Sequence, residues 1–391
     1  MNSVIVINAL TVACVFGLAF LMENILLPKI LLISRKKHLY DIPDARKVHK
    51  VATPRLAGVS FVPVVIFSFL TIFTLRIWLI ESGNLQLMFP SLNNAEVYAM
   101  LNQASLLSFQ QELYMLMCGL ILLLLVGVKD DLVGVTFMGK FRVQILAAAL
   151  FCFGGVFFES VYGILGVHEL PIYISIPFSI FVIVLVTNSI NLIDGIDGLA
   201  SGLSIVAFVT MGVSFFMRNM VFHSMLSFAC VGLLIPFFYY NVFMRQVRKL
   251  FLGDTGSLAI GFLLGYLAIK HSQLNPGETY DVMPILLPFS VLFLPAFDVA
   301  RVMYTRKMMG HPLFMPDRNH IHHKLIDAGF SHHATMIFII LLSLAVLLLN
   351  MLLSLFLNIN LIIILDFLLG IGFNKWLAVY SARRSKRLQK S

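Results

Sequence analysis

Long apolar runs, broken by short polar stretches, dominate this chain. Eleven runs stand out, at residues 3–33, 57–79, 113–128, 142–158, 174–190, 200–217, 221–240, 256–270, 283–299, 335–355 and 359–380. Crossing the hydrocarbon layer takes about 20 predominantly apolar residues per helix. The pattern therefore predicts an all-α integral membrane protein, a polytopic bundle of about eleven transmembrane helices. Residues 1–380 form one domain without a detectable internal repeat, and 381–391 form a basic tail.

Composition agrees. The 391 residues are 59% hydrophobic and 12% charged, with a mean hydropathy of +0.93. A soluble domain carries roughly 25% charged residues, so lipid is the solvent that this much apolar surface requires. The start, "MNSVIVINAL", lacks the basic flank of a cleaved signal. The first basic cluster, "RKKHLYDIPDARKVHK", follows the first run, which places the N-terminus outside and that loop in the cytoplasm. Alternating sides from there puts 23 of the 28 Lys and Arg residues, and the C-terminus, inside. The net charge of +9 then reflects contact with membrane lipids and implies no nucleic acid. Cys14, Cys118, Cys152 and Cys230 all fall inside runs without pair spacing, and are expected to be buried structural thiols.

With this topology the acids gather. Asp130 and Asp131 end the third run in "LVGVKDDLVG"; Asp194 and Asp197 follow the fifth in "TNSINLIDGIDGLA". Asp254 opens the eighth in "LFLGDTGSLAIG", and Asp298 closes the ninth in "LPAFDVARV". All six lie at cytoplasmic helix mouths, where the positive-inside bias favours Lys and Arg. For any one acid, simple exposure to water at a helix end is an equally good explanation. Together, from four places in the chain, they point to one site. Adjacent carboxylates about 4 Å apart repel by roughly 1 kcal/mol in water and about 4 at an effective dielectric of 20. A bound cation relieves that repulsion, and Mg²⁺ suits a place with few carboxylates and a phosphate substrate. Asn188, Asn191 and Asp194 recur every three residues and share one helix face. Gly195 and Gly198 allow close approach of backbone or ligand.

These blocks resemble a known family. "VGVKDDL", "NSINLIDGIDGLA", "FLGDTGS" and "PDRNHIHHKLIDAGF" are similar to the signatures of the polyprenyl-phosphate N-acetylhexosamine-1-phosphate transferases, in the same order, from about residue 41 to about 335. The resemblance implies a membrane enzyme that uses Mg²⁺, with Mn²⁺ as a substitute. It would transfer a sugar 1-phosphate from a UDP-sugar to undecaprenyl phosphate, releasing UMP and starting a cell-envelope polysaccharide. It places the protein in the inner membrane with its site on the cytoplasmic face, and is compatible with a homodimer. "HIHH" (His320, Ile321, His322, His323) is similar to the N-acetylglucosamine-1-phosphate branch; the phospho-MurNAc-pentapeptide transferases are the alternative. Asp254 is then the first metal ligand, with Asp130 and Asp131 at the metal or handling the lipid phosphate. Asp194 and Asp197, with Asn188, Asn191 and Gly195, surround the nucleotide and reacting phosphates. Lys50, Asn241, Asp298, Arg318, His320, His322 and His323 would contact the donor.

Two departures stand out: Leu56-Ala57-Gly58 where the family has a Gly-Gly pair, and "YYNVFMRQVRKL" before "FLGDTGS", which matches loosely around Asn241. A zinc site at the histidines is a minor alternative, since no cysteine lies near. His332 and His333 are expected in a solvated loop. A transporter would carry its acids near the midplane, often within inverted repeats, which is not the pattern here.

Overall fold

The computed structural model describes residues 3–41, 53–105, 107–274, 281–312 and 319–388. The chain winds through α1 (Ser3–Lys36), α2 (Phe61–Glu81), α3 (Asn84–Met88), α4 (Asn94–Ser105), α5 (Leu107–Val133), α6 (Phe137–Phe153) and α7 (Ile172–Ile193). It continues through α8 (Leu199–Met217), α9 (Val221–Val242), α10 (Gly253–Ser272), α11 (Met283–Met308), α12 (Ile321–Asp327), α13 (His332–Leu353) and α14 (Ile359–Leu388). Two small antiparallel hairpins accompany them: β1 (Tyr40–Asp41) with β2 (Thr53–Pro54), and β3 (Ser160–Ile164) with β4 (Val167–Glu169).

Each of the eleven apolar runs contains a helix, and this is a multi-pass membrane bundle. Among the described residues, nine helices are long and apolar enough to cross a bilayer. The two runs that fall short are α6, with 17 residues, and α10, whose ends are polar. α10 lies inside the bundle with nearly every side chain buried, packed against α5 and α7. A helix shielded from lipid by its neighbours does not need an unbroken apolar sequence. The run predicted at 142–158 stops early, because α6 ends at Gly154 and Gly155 turns the chain with φ +83°. The segment between α2 and α5 holds α3 and α4, which the run pattern did not show.

Small residues let the helices close on α10. A Cβ on Gly261 would stand 2.7 Å from Thr187 Cα of α7, and one on Gly127 would stand 2.5 Å from Thr255 Cα. Close backbone approach of this kind is the main packing device where lipid removes the hydrophobic drive between helices. Phe151 of α6 stacks on Phe262 at 4.4 Å between ring centroids. The C-terminal end of α10 is also pinned. Glu112 of α5 accepts from Lys270 Nζ at 2.7 Å, from the Tyr266 hydroxyl, and pairs with His223 Nε2 of α9 at 2.9 Å. The Tyr162 hydroxyl in β3 lies 2.8 Å from the carbonyls of Ser272 and Leu274.

Two expectations are corrected. Cys152 and Cys230 are buried, but Cys14 and Cys118 are exposed on the bundle surface; all four are free thiols. His332 and His333 are exposed as expected, yet they form the first turn of α13, because Ser331 caps it by accepting from Ala334 N at 3.2 Å.

Candidate active site

Helices α5, α7 and α9 end, and α6, α8 and α10 begin, at one end of the bundle. The start of α10 organises it. The first amides of a helix lack internal partners, and Leu252 at the N-cap supplies no side-chain bond. Asp131 of α5 does so from across the interface: Oδ1 accepts from Asp254 N at 2.9 Å, and Oδ2 accepts from Thr255 N at 3.0 Å and Thr255 Oγ1 at 2.6 Å. A carboxylate there also complements the positive end of the helix dipole. Gly253 makes this approach possible, with φ +72° and no Cβ to strike Arg55 O at 2.2 Å or Asp131 Oδ2 at 2.7 Å. The 53–60 segment closes the other side. Phe251 N donates to Pro54 O (2.8 Å), Gly58 N donates to Leu252 O (3.0 Å), and a Cβ on Gly58 would meet Gly256 N at 2.1 Å. The single glycine of Leu56-Ala57-Gly58 thus stands at the position where backbone meets backbone.

Asp254 projects from this anchored turn. Its Oδ1 accepts from Asn191 Nδ2 at 2.7 Å and Lys140 Nζ at 3.3 Å, and its Oδ2 lies 3.5 Å from the Arg55 guanidinium. Lys140, near the start of α6, also donates to Asp130 Oδ2 at 2.9 Å, while Asp130 Oδ1 accepts from Val135 N at 2.6 Å. One ammonium therefore joins Asp130 to Asp254. Asn191 Nδ2 also reaches Ser257 Oγ at 2.8 Å. Asn188, expected on the same face, turns instead to Gln144 of α6, donating to its Oε1 at 2.6 Å. The shared face ends there, because α7 stops at Ile193 and Asp194 leaves the helix with ψ 41°.

Asp194 accepts no hydrogen bond from any described residue. Burial, then the charges of Asp254 and Asp197, push its carboxyl well above the ordinary carboxylate range. Beside it, Gly195 is the floor for His322: a Cβ there would stand 2.4 Å from His322 Nε2. His322 is 1% exposed, and neither ring nitrogen has a hydrogen-bond partner among the described residues. Burial and the neighbouring His323 and His320 depress its pKa to about 3, so the ring is neutral near pH 7. Asp197 pairs with Lys249. Asn241 joins the loop that carries Asp194 and Asp197 to the segment leading into α10, accepting from Gly198 N at 2.6 Å and donating to Leu250 O at 2.8 Å. Asp298 faces the histidine segment, meeting His320 Nδ1 at 2.9 Å, Arg301 at 2.7 Å and Ile321 N at 3.1 Å.

The structure thus brings Asp130, Asp131, Asn191 and Asp254 into one hydrogen-bonded group, and seats His322 beside Asp194. Asn241 and Asp298, assigned to the donor, have their polar atoms bonded within the protein. Lys50 and Arg318 lie outside the described residues. Among the described residues, no three His, Cys, Asp or Glu side chains converge as a ready-made metal cage. Lys140 was missed, because in sequence it counts as one more positive-inside charge; its place ten residues after Asp130, at a helix start, was the available signal.

Residues 113–272 match the model of glycosyl transferase family 4. The chain is 28% identical over 330 residues, 84% of its length and 80% of the relative's, to the probable undecaprenyl-phosphate N-acetylglucosaminyl 1-phosphate transferase of Bacillus subtilis (strain 168). It is 27% identical over 342 residues, 85% and 82% of the two chains, to the undecaprenyl-phosphate alpha-N-acetylglucosaminyl 1-phosphate transferase of Escherichia coli (strain K12). A similarly named protein of Salmonella typhi is 29% identical over 315 residues, 79% and 75% of the two chains.

Proposed function

We infer that this chain is a family 4 glycosyl transferase that moves N-acetylglucosamine 1-phosphate from UDP-N-acetylglucosamine to undecaprenyl phosphate, releasing UMP. The observation that carries the reading is the anchored turn at the start of α10. There Asp131 holds the helix end while Asp254, Asn191, Lys140, Asp130 and Arg55 face one another. Phosphoryl transfer asks the protein mainly for positioning and charge neutralisation, and this group offers both.

In the reaction, an oxygen of the lipid phosphate attacks the sugar-bearing phosphorus, the bond bridging the two donor phosphates breaks, and UMP departs with that bridging oxygen. The acceptor is largely ionised near pH 7, since a phosphate monoester has its second pKa near 6, so no strong base is needed. Asp130, held by Lys140 and Val135 N, orients the acceptor. Lys140 and Arg55 offset charge on the phosphates. The unpartnered nitrogens of His322 accept or donate to the donor's polar groups, whose arrival would satisfy a buried ring.

Mg²⁺ belongs to this reading. Asp254, Asp194 and the amide oxygen of Asn191 are hard oxygen donors of the kind Mg²⁺ takes, and the mutual repulsion of Asp194, Asp197 and Asp254 is what a cation would relieve. When bound, the ion neutralises phosphate charge. Asp131 is set apart from this group: the partners of Asp254 are side chains of the site, whereas the oxygens of Asp131 hold Asp254 N, Thr255 N and Thr255 Oγ1 at the start of α10.

Basic residues at the same end of the bundle support a site on the cytoplasmic side with the N-terminus outside; eleven crossings and an inner-membrane location belong to the same reading. The test is release of UMP from radiolabelled UDP-N-acetylglucosamine and undecaprenyl phosphate by the detergent-purified protein. Release that stops in EDTA and returns with Mg²⁺ or Mn²⁺ is expected. Undiminished turnover in chelator would refute the metal, and no release at all would refute the activity.

A further inference from the structure

Asp298 and Arg301 are buried charged residues on α11 that the reaction above does not use. Their side chains are 3% and 9% exposed and pair at 2.7 Å. Asp298 Oδ1 also accepts from Ile321 N at 3.1 Å, and Oδ2 meets His320 Nδ1 at 2.9 Å and Ile321 N at 3.3 Å. Arg301 reaches past the carboxylate to donate to Asn319 O at 2.6 Å. Both Asp298 oxygens are thus occupied from within the protein, which is the arrangement of a fastening and not of a substrate contact.

We propose that Asp298 and Arg301 are positioning residues that clamp the segment carrying the histidines and, through His320, hold His322 against Gly195. The coupling is direct. An ionised carboxylate only accepts hydrogen bonds, so Nδ1 of His320 carries the proton and Nε2 is the atom presented away from α11. The His320 and His322 rings lie nearly parallel, with centroids 5.7 Å apart and planes 11° from parallel, and His323 flanks His322 at 4.2 Å, so displacing His320 removes a neighbour from one side of the His322 ring. His322 in turn lies on Gly195, next to Asp194. One carboxylate on α11 thereby bears on the position of a ring that lies against the loop carrying Asp194. The spacing of Asp298 and Arg301, three apart on one helix, puts both on the same face.

This rests on the transferase reading for its kinetic arm, and has a second arm that does not. In the kinetic arm, Asp298→Ala and His320→Ala each lower kcat/KM for UDP-N-acetylglucosamine by about tenfold or more, as expected for losing a hydrogen bond to a charged group. The double variant is no worse than Asp298→Ala alone within about twofold, because both act through one ring. KM for undecaprenyl phosphate stays unchanged. Multiplying losses, or an acceptor KM that rises as much as the donor's, would overturn the clamp. The near-isosteric Asp298→Asn serves the same cycle where the alanine variant does not fold. In the second arm, amide hydrogen exchange is followed in Asp298→Asn. Residues 319–327 should exchange faster while 253–272 stay protected. Unchanged exchange at 319–327 sinks the clamp whatever the activity; wild-type protein that releases no UMP sinks the transferase reading and leaves this arm to decide.

Discussion

Asp131→Asn separates two roles for one carboxylate. As a metal ligand, Asp131 would act on the ion; as the structure has it, Asp131 fastens the start of α10 with three bonds to Asp254 N, Thr255 N and Thr255 Oγ1. An asparagine keeps the shape, but only one of its two terminal atoms accepts. If that oxygen serves Thr255, the amide nitrogen faces Asp254 N–H and one charge-assisted bond is lost, worth roughly 1.5–3 kcal/mol. At 1.36 kcal/mol per factor of ten, that is about 10- to 150-fold in any equilibrium that depends on the bond. The expected result is a lower melting midpoint and a lower kcat, because Asp254 is no longer held, with an unchanged Mg²⁺ requirement. The assay is UMP release across a Mg²⁺ titration, beside thermal unfolding of the same preparation. Normal melting with a half-saturating Mg²⁺ concentration raised about tenfold, the signature of about 1.4 kcal/mol lost at the ion, would refute the fastening role.

Asp254→Asn removes the charge at the centre of the site and should abolish most UMP release while leaving folded protein; turnover near the wild-type rate would reduce Asp254 to a helix-end acid. Gly195→Ala places a Cβ 2.4 Å from His322 Nε2 and must displace the ring. Its kcat/KM for the donor should fall with the acceptor KM unchanged, and normal donor kinetics would disconnect His322 from the site. Gly58→Ala drives a Cβ to 2.1 Å from Gly256 N, backbone against backbone, so poor yield and early thermal unfolding are expected; wild-type melting would contradict the close contact. His322 is held neutral in the fold with a pKa of about 3, whereas the unfolded chain protonates near 6.5. The unfolded state binds the extra proton, so stability falls as pH drops from about 6.5 towards 3. His322→Gln should flatten that acid limb in thermal unfolding, and an unaltered limb would exclude His322 as its source.

The spans were legible because lipid selects for apolar length, and the acids were legible because they interrupt it. Their partners were not. Lys140 sits among loop charges that topology alone explains, and only the fold shows it between Asp130 and Asp254. The three-residue spacing of Asn188, Asn191 and Asp194 presumed a helix reaching 194, but the helix stops first, and Gln144 takes Asn188. Asp298 read as a donor contact because sequence does not reveal a partner 23 residues away at Ile321. The seating of His322 on Gly195 joins positions far apart in the chain, and no local pattern encodes it. Cys14 and Cys118 show the same limit: an apolar run fixes that a residue is in the membrane, not which way it faces.

α10 is fastened at both ends, by Asp131 at one and by Glu112 and Tyr162 at the other. A rod held this way does not slide, so the carboxylate it carries is already in place before any ligand arrives. Anionic compounds that mimic the pyrophosphate would meet Lys140 and Arg55 already gathered around Asp254 and bind with little rearrangement of the bundle. Selectivity among such compounds, and any slow onset of inhibition, would then have to come from the segment between α11 and α13, where the histidines are hung from a single helix face.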